Sequence, residues 1–148
     1  MKRYSIGLLT SAITLTLAVA FCRDSPSLYD RISSADLWLR EYHPELYQGV
    51  NPLFFPDTIP DIGFYWGEWG NHEIISINRW YNINQMELVG AMAHELMHAN
   101  LGGAWVNMFM MRNDHSIHEN IYPKAGEIGV EYIIWEYNKR IRHRKNCK

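Results

Sequence analysis

Apolar residues recur every three or four positions along residues 27–47, the spacing that places side chains on one face of a helix. We therefore predict a first helix there, with Ser25 or Ser27 as its N-cap and Pro44 at its end or at a kink. Three prolines stand in residues 51–61. Because prolines interrupt regular elements, this stretch is predicted to be a loop.

The next two segments are rich in aromatic and β-branched residues. Residues 62–69 and 72–78 have the composition of strands, and glycine and asparagine between them can form a turn. The pair predicts a β-hairpin.

The clearest helix boundary lies at Asn84. Asparagine is a favoured N-cap, and Glu87 three residues later gives the sequence pattern of a capping box. Residues 86–101 then run to a pair of glycines without a proline, and a last helix is predicted for about residues 124–143, with Pro123 at its start. These elements predict an α+β fold in which a small mixed sheet packs on the middle helix, flanked by N- and C-terminal helices.

The first twenty residues have a different pattern from the rest. Lys2 and Arg3 precede an uncharged, mostly apolar run that ends in Ala-Val-Ala. This order is typical of a secretory signal peptide. We therefore predict a signal peptide over residues 1–20 and a single domain over residues 21–148, which is secreted, periplasmic or attached to the cell envelope.

Cys22 follows the predicted cleavage site and leaves alternatives open. Residues 19–22 are similar to a bacterial lipoprotein box, in which a lipidated cysteine would attach the protein to a membrane. In an oxidising compartment Cys22 could instead form a disulfide with Cys147. These two fates exclude each other. A third alternative is that residues 1–20 remain as an uncleaved membrane anchor.

Composition narrows the classes of function. A chain of 148 residues fits one domain, and 47% hydrophobic with 20% charged residues excludes a wholly disordered chain. The net charge of −2 argues against nucleic acid as a partner, since binding to phosphates needs clustered basic residues. Two cysteines are too few for a disulfide-dense mini-protein or a four-cysteine zinc module.

The predicted middle helix contains the motif HExxH, formed by His94, Glu95 and His98. Residues four apart lie on one helix face, so both imidazoles can bind one ion. Zn²⁺ accepts neutral imidazole and in catalytic sites keeps a position for water, whose proton Glu95 could accept. An accidental match is the alternative, but unpaired polar side chains are costly among these apolar neighbours. We therefore predict a zinc site with Glu95 as the general base on the zinc-bound water.

Residues 63–121 resemble the zincin metallopeptidases, and among these the SprT-like group. The similarity comprises an aromatic strand, a turn, the strand sequence IISIN, the helix sequence HELMHA and, after an insertion, the tripeptide DHS at residues 114–116. The resemblance implies a zincin-like fold and hydrolysis of peptide bonds. It also implies that the third zinc ligand is His115, the histidine of DHS.

The third ligand has alternatives in the sequence. His118 stands in a context of its own, HEN, and Glu127 with Glu131 offers the glutamate on a later helix that gluzincins use. Tyr81 or Tyr122 could stabilise an oxyanion, or each could simply be a packed aromatic residue.

The sequence thus predicts a zinc-dependent metallopeptidase outside the cytoplasm, whose metal ligands are His94, His98 and His115. We expect a monomer that acts on a peptide or protein, without a nucleic-acid partner. The substrate would lie along residues 72–78, taken as the edge strand of the sheet. The alternatives are a non-catalytic metal-binding envelope protein and a secreted effector or toxin with the same peptidase chemistry.

Overall fold

The computed structural model describes residues 26–59, 61–79, 83–101 and 116–146. Within these ranges the chain forms three α-helices, a one-turn 3₁₀ helix and one mixed sheet of three strands. The fold is therefore α+β, as predicted. None of the helices in this part of the chain has the length and apolar character needed to cross a membrane.

Several predictions fall outside the described ranges. They include the predicted signal peptide over residues 1–20, Cys22 and Cys147. The domain boundary at residue 20 and the two alternative fates of Cys22 therefore stay predictions.

The first helix, α1, spans Leu28–Tyr42, and the 3₁₀ helix Pro44–Tyr47 follows it. Ser27 is the N-cap: its hydroxyl accepts a hydrogen bond from the Asp30 backbone, while the Asp30 carboxylate accepts one from the Ser27 backbone. The prediction that Pro44 ends this helix is confirmed. A residue before proline is disfavoured in the α conformation, which explains why α1 stops ahead of it.

The sheet contains β1 (Pro52–Asp57), β2 (Gly63–Trp69) and β3 (His72–Asn78). β2 and β3 form the predicted antiparallel hairpin, and β1 pairs with β3 in parallel. The strand order is therefore β1-β3-β2. Gly70 makes the hairpin turn with a φ of 63°, a left-handed conformation that glycine adopts without steric cost.

The predicted loop over residues 51–61 is wrong, because β1 occupies much of it. The Asn51 carbonyl accepts a hydrogen bond from Glu73 of β3, and the Asp57 carbonyl accepts one from Arg79, the residue that follows β3. Backbone groups alternate in direction along a strand, so the nitrogens of Pro52 and Pro56 point away from β3. A proline at such an outward position on an edge strand removes no hydrogen bond from the ladder.

The prediction that residues 72–78 form the sheet edge is also wrong. β3 is the central strand of the described sheet, and β1 and β2 are its edges. The parallel pairing joins β1 to β3, although β2 lies between them in the sequence. Such long-range pairing leaves no local signal in the residues of β3.

The middle helix, α2, spans Gln85–Asn100. The predicted capping box is confirmed: the Asn84 side chain accepts a hydrogen bond from the Glu87 backbone at 3.0 Å, and the Asn84 backbone donates to the Glu87 carboxylate at 2.8 Å. The middle of α2 lies in the hydrophobic core with α1 and the inward side chains of β3, Ile75 and Ile77. This burial fixes the helix that carries HExxH.

The last helix, α3, spans Ser116–Asn146, so the predicted start near residue 124 is wrong. Pro123 lies inside the helix on its exposed side. Ile121, Ala125 and Ile128, on both sides of the proline, are buried. Packing of this face on α2 outweighs the cost of one missing backbone hydrogen bond. The earlier start brings His118 into the helix.

Candidate metal centre

α2 supplies three polar side chains from its buried middle: His94, Glu95 and His98. The surrounding positions of the helix are filled by apolar residues of the core. Because the two histidines are four residues apart, their rings stand one above the other on the same face, with centroids 4.6 Å apart.

A third imidazole comes from the first turns of α3. The Nε2 atom of His98 lies 3.0 Å from that of His94 and 3.2 Å from that of His118. One ligand atom from each histidine can be chosen so that all three lie within 4.8 Å of one another. This cluster could hold a metal ion.

The nitrogen spacing suits a small tetrahedral ion. Zinc lies about 2.0–2.1 Å from each histidine nitrogen, so two nitrogens in a tetrahedral shell are about 3.3 Å apart. The separations of 3.0 Å and 3.2 Å are close to this value. Two of the three nitrogen pairs are therefore already at nearly the spacing that such an ion requires, and the third pair lies within 4.8 Å.

The environment of His94 keeps its imidazole neutral. Burial, together with the smaller effects of the charges of His98 and His118, lowers the pKa of His94 to about 3. A histidine binds a metal in its unprotonated form, so the group stays available as a ligand under mildly acidic conditions.

The carboxylate of Glu95 lies against the first residues of β2. A Cβ atom at Gly63 would stand 3.1 Å from Glu95 Cγ and 3.2 Å from its Oε1, so only glycine allows this close approach without displacement. Burial raises the pKa of Glu95 to about 7, opposed by a hydrogen bond from the Tyr65 backbone and assisted by the charge of Asp61. The carboxylate is thus held between α2 and the sheet edge.

Tyr122 stands beside the histidines on the solvent side. It follows His118 by four residues on α3, and its ring centroid lies 5.1 Å from that of His118 and 4.6 Å from that of His94. The side chain is 61% exposed. The ring packs on the two histidines while most of the side chain is exposed, so both alternatives for Tyr122, a packed aromatic residue and an oxyanion donor, stay predictions. Tyr81 lies outside the described residues.

The predicted third ligand, His115, also lies outside the described ranges. His118, the second candidate, completes the cluster that the structure describes. The glutamate alternative is not brought to this cluster: Glu127 is exposed, and a Glu131 carboxylate oxygen lies 3.2 Å from His43 Nε2.

One signal in the sequence could have favoured His118. If the last helix is extended through Pro123, His118 and Tyr122 fall four residues apart on it. If the helix is taken to start at Pro123, His118 lies outside it and this spacing has no structural meaning.

The fold and the site define an α+β protein with a three-histidine cluster that could hold a metal ion. Comparisons with protein-family models, with characterised proteins and with solved structures find no match to this chain.

Proposed function

We propose that this protein is a zinc-dependent metallopeptidase of the zincin type, which hydrolyses peptide bonds outside the cytoplasm. One observation carries the proposal: three imidazole nitrogens lie within 4.8 Å of one another, with Glu95 next to His94 in sequence on the helix that supplies two of them. A helix that presents two histidines four apart and an adjacent carboxylate supplies both the ligands and a general base.

Zinc fits the donors of the described cluster. All three are imidazoles, which suit zinc among the common divalent ions, although copper and nickel also accept them. We assign the ligands as His94, His98 and His118, with His115 as the rival for the third position. Three protein ligands leave one position of a tetrahedral shell for water or substrate, the arrangement of a catalytic site.

A bound zinc ion would polarise the scissile carbonyl and lower the pKa of a water molecule. The protein's own part in the reaction begins with Glu95, which accepts a proton from the attacking water and returns it to the leaving amine. The close backbone of β2 limits where this carboxylate can go. Tyr122, exposed beside the cluster, can donate a hydrogen bond to the oxyanion that forms on the substrate.

The substrate peptide would bind along β2 rather than β3. β2 is an edge of the described sheet, and its first residue touches the Glu95 side chain. An extended peptide can add to an edge strand through backbone hydrogen bonds. This places a scissile bond next to the general base.

The variant Glu95→Gln tests the peptidase proposal. The amide keeps the shape of the side chain but cannot accept a proton, so we expect zinc to stay bound while cleavage of a mixed peptide library falls about 10²–10⁴-fold. Glu127→Gln, which removes an exposed charge from α3, is the matched control and should cleave like the parent. Parent-like cleavage by zinc-loaded Glu95→Gln would refute the proposed mechanism. A zinc-loaded parent that cleaves no peptide would favour a non-catalytic metal-binding role.

The location outside the cytoplasm depends on the pattern of residues 1–20. N-terminal sequencing of the protein produced by its host should give a chain that begins at Phe21. A chain that keeps Met1 and stays in the cytoplasm would refute this part of the proposal and leave the chemistry untouched.

A further inference from the structure

α3 is apolar on two opposite faces. Its inner face, which includes Ile121, Ile128 and Tyr132, is buried in the core. On the opposite face four large apolar side chains are between 39% and 64% exposed: Val130, Ile133, Ile134 and Tyr137. Because they follow the spacing i, i+3, i+4 and i+7, they form one continuous row, which we call the outer stripe.

The outer stripe has the form of a helix-packing surface. Single exposed apolar residues are normal on proteins, whereas contiguous exposed patches usually mark an interaction site. The i, i+3, i+4, i+7 pattern is the one by which a helix packs against a second helix. A helical partner therefore fits the outer stripe best.

The charges of α3 are divided between its two halves. Residues 116–131 contain three glutamates and one lysine, whereas residues 132–146 contain five lysines and arginines and one glutamate. Two copies of α3 placed in parallel would bring like charges together. Two antiparallel copies would place the acidic half of each beside the basic half of the other.

The flanks of the outer stripe follow the same division. At 100° and 1.5 Å per residue, Glu127 lies about 70° around the helix from the middle of the stripe and Arg142 about 130° on the same side, and they stand about 10 Å and 13 Å from that middle in opposite directions along the axis. A two-fold axis through that middle brings Glu127 of one copy opposite Arg142 of the other. Both the apolar row and its charged flank are therefore complementary to themselves in the antiparallel orientation.

We propose that the outer stripe binds a second copy of this chain, with the two α3 helices packed antiparallel in a two-fold symmetric dimer. The dimer replaces the monomer expected from the sequence and does not depend on the metal centre. Stable complexes usually bury about 1,200–2,000 Å². Four partly exposed side chains on each copy bury less than this, so the dimer is weak and dissociates on dilution.

An anionic membrane surface is a less suitable occupant. The basic half of α3 would be attracted to it, but Glu127 and Glu131 beside the first part of the stripe would be repelled. An antiparallel second copy of α3 offers opposite charges to both the acidic half and the basic half of the helix.

Sedimentation equilibrium of the protein as its host produces it tests the proposal. We expect a monomer–dimer equilibrium in the parent and an increase of at least about tenfold in the dissociation constant for Ile134→Glu. Leu37→Glu, which places the same charge at an exposed apolar position of α1, should dimerise like the parent. A parent that stays monomeric at every concentration, or an equal loss in both variants, overturns the proposal.

If Ile134→Glu does not fold, an exchange of charges between Glu127 and Arg142 tests the same dimer by sedimentation equilibrium. Glu127→Arg alone should weaken the dimer, and Glu127→Arg combined with Arg142→Glu should restore it, because the exchanged charges again face each other in the antiparallel pair. Failure of the double variant to recover overturns the proposed orientation. Binding of a monomeric parent to phosphatidylglycerol vesicles, lost in Ile134→Glu, would assign the stripe to lipid and overturn the dimer.

Discussion

Two helices contribute to the histidine cluster in different ways. α2 presents His94 and His98 from its buried middle, behind an N-terminus fixed by a capping box. α3 contributes His118 from its first turns, next to the exposed Tyr122. The geometry of the α2 pair follows from one helix, whereas the position of His118 depends on how α3 packs against α2.

The largest expected effect is on zinc affinity, and it tests whether α3 supplies a ligand in addition to the two histidines of α2. If α3 supplies a ligand and not merely a nearby residue, His118→Ala should weaken zinc binding more than about 100-fold, beyond what the loss of a supporting group costs. Zinc content after dialysis against a chelator measures this. His98→Ala should show a similar loss, and Glu131→Gln, which alters a residue beside His43, should retain zinc. Full zinc retention by His118→Ala would leave α2 as the only helix of the pair that binds the metal.

The exposed side of the cluster is tested by Tyr122→Phe. This variant keeps the ring that lies against His94 and His118 and removes only the hydroxyl. If the phenol stabilises the oxyanion, kcat should fall about 10²–10³-fold with zinc content unchanged. A kcat equal to that of the parent would reduce Tyr122 to a packing role.

The contact between the two helices is tested at Gly129. A Cβ atom there would lie 2.7 Å from the carbonyl oxygen of Met86 in the first turn of α2, so Gly129→Ala forces the helices apart. We expect a loss of about 1–3 kcal/mol in the free energy of unfolding, measured with urea. Gly126→Ala is the matched control, because nothing lies within 4 Å of the added methyl group. It should leave stability unchanged or raise it by up to about 1 kcal/mol.

The smallest expected effect is on stability and concerns the capping box at the N-terminus of α2. Asn84→Ala removes the side chain that accepts a hydrogen bond from the Glu87 backbone, and should lower the free energy of unfolding by about 1 kcal/mol. Zinc should remain bound, because His94 lies more than two turns from the cap. A loss of zinc in this variant would mean that the end of α2 and its middle are not independent.

The sequence predicted best what neighbouring residues determine. The Asn84 cap, the α2 helix and the β2–β3 turn are local features, and their positions agree with the structure. The strand β1 was not predicted, because Pro52 and Pro56 indicate a loop. Whether their nitrogens point away from the neighbouring strand is known only once the sheet is assembled. The central position of β3 likewise results from pairing with a distant strand.

The candidate site shows the same limit. His94, Glu95 and His98 follow from a spacing of residues on one helix. The position of His118 does not follow from such a spacing, because the packing of α3 on α2 extends α3 towards its N-terminus, through Pro123 to His118. A local rule places the helix start at the proline and gives His118 no particular orientation.

The most direct measurement is diffraction from zinc-loaded crystals at the zinc absorption edge, which locates the metal independently of any assay. We expect one strong anomalous peak within about 2.0–2.1 Å of the Nε2 atoms of His94, His98 and His118. A peak bound by His115 in place of His118, or a metal away from the α2 histidines, would contradict the proposed centre.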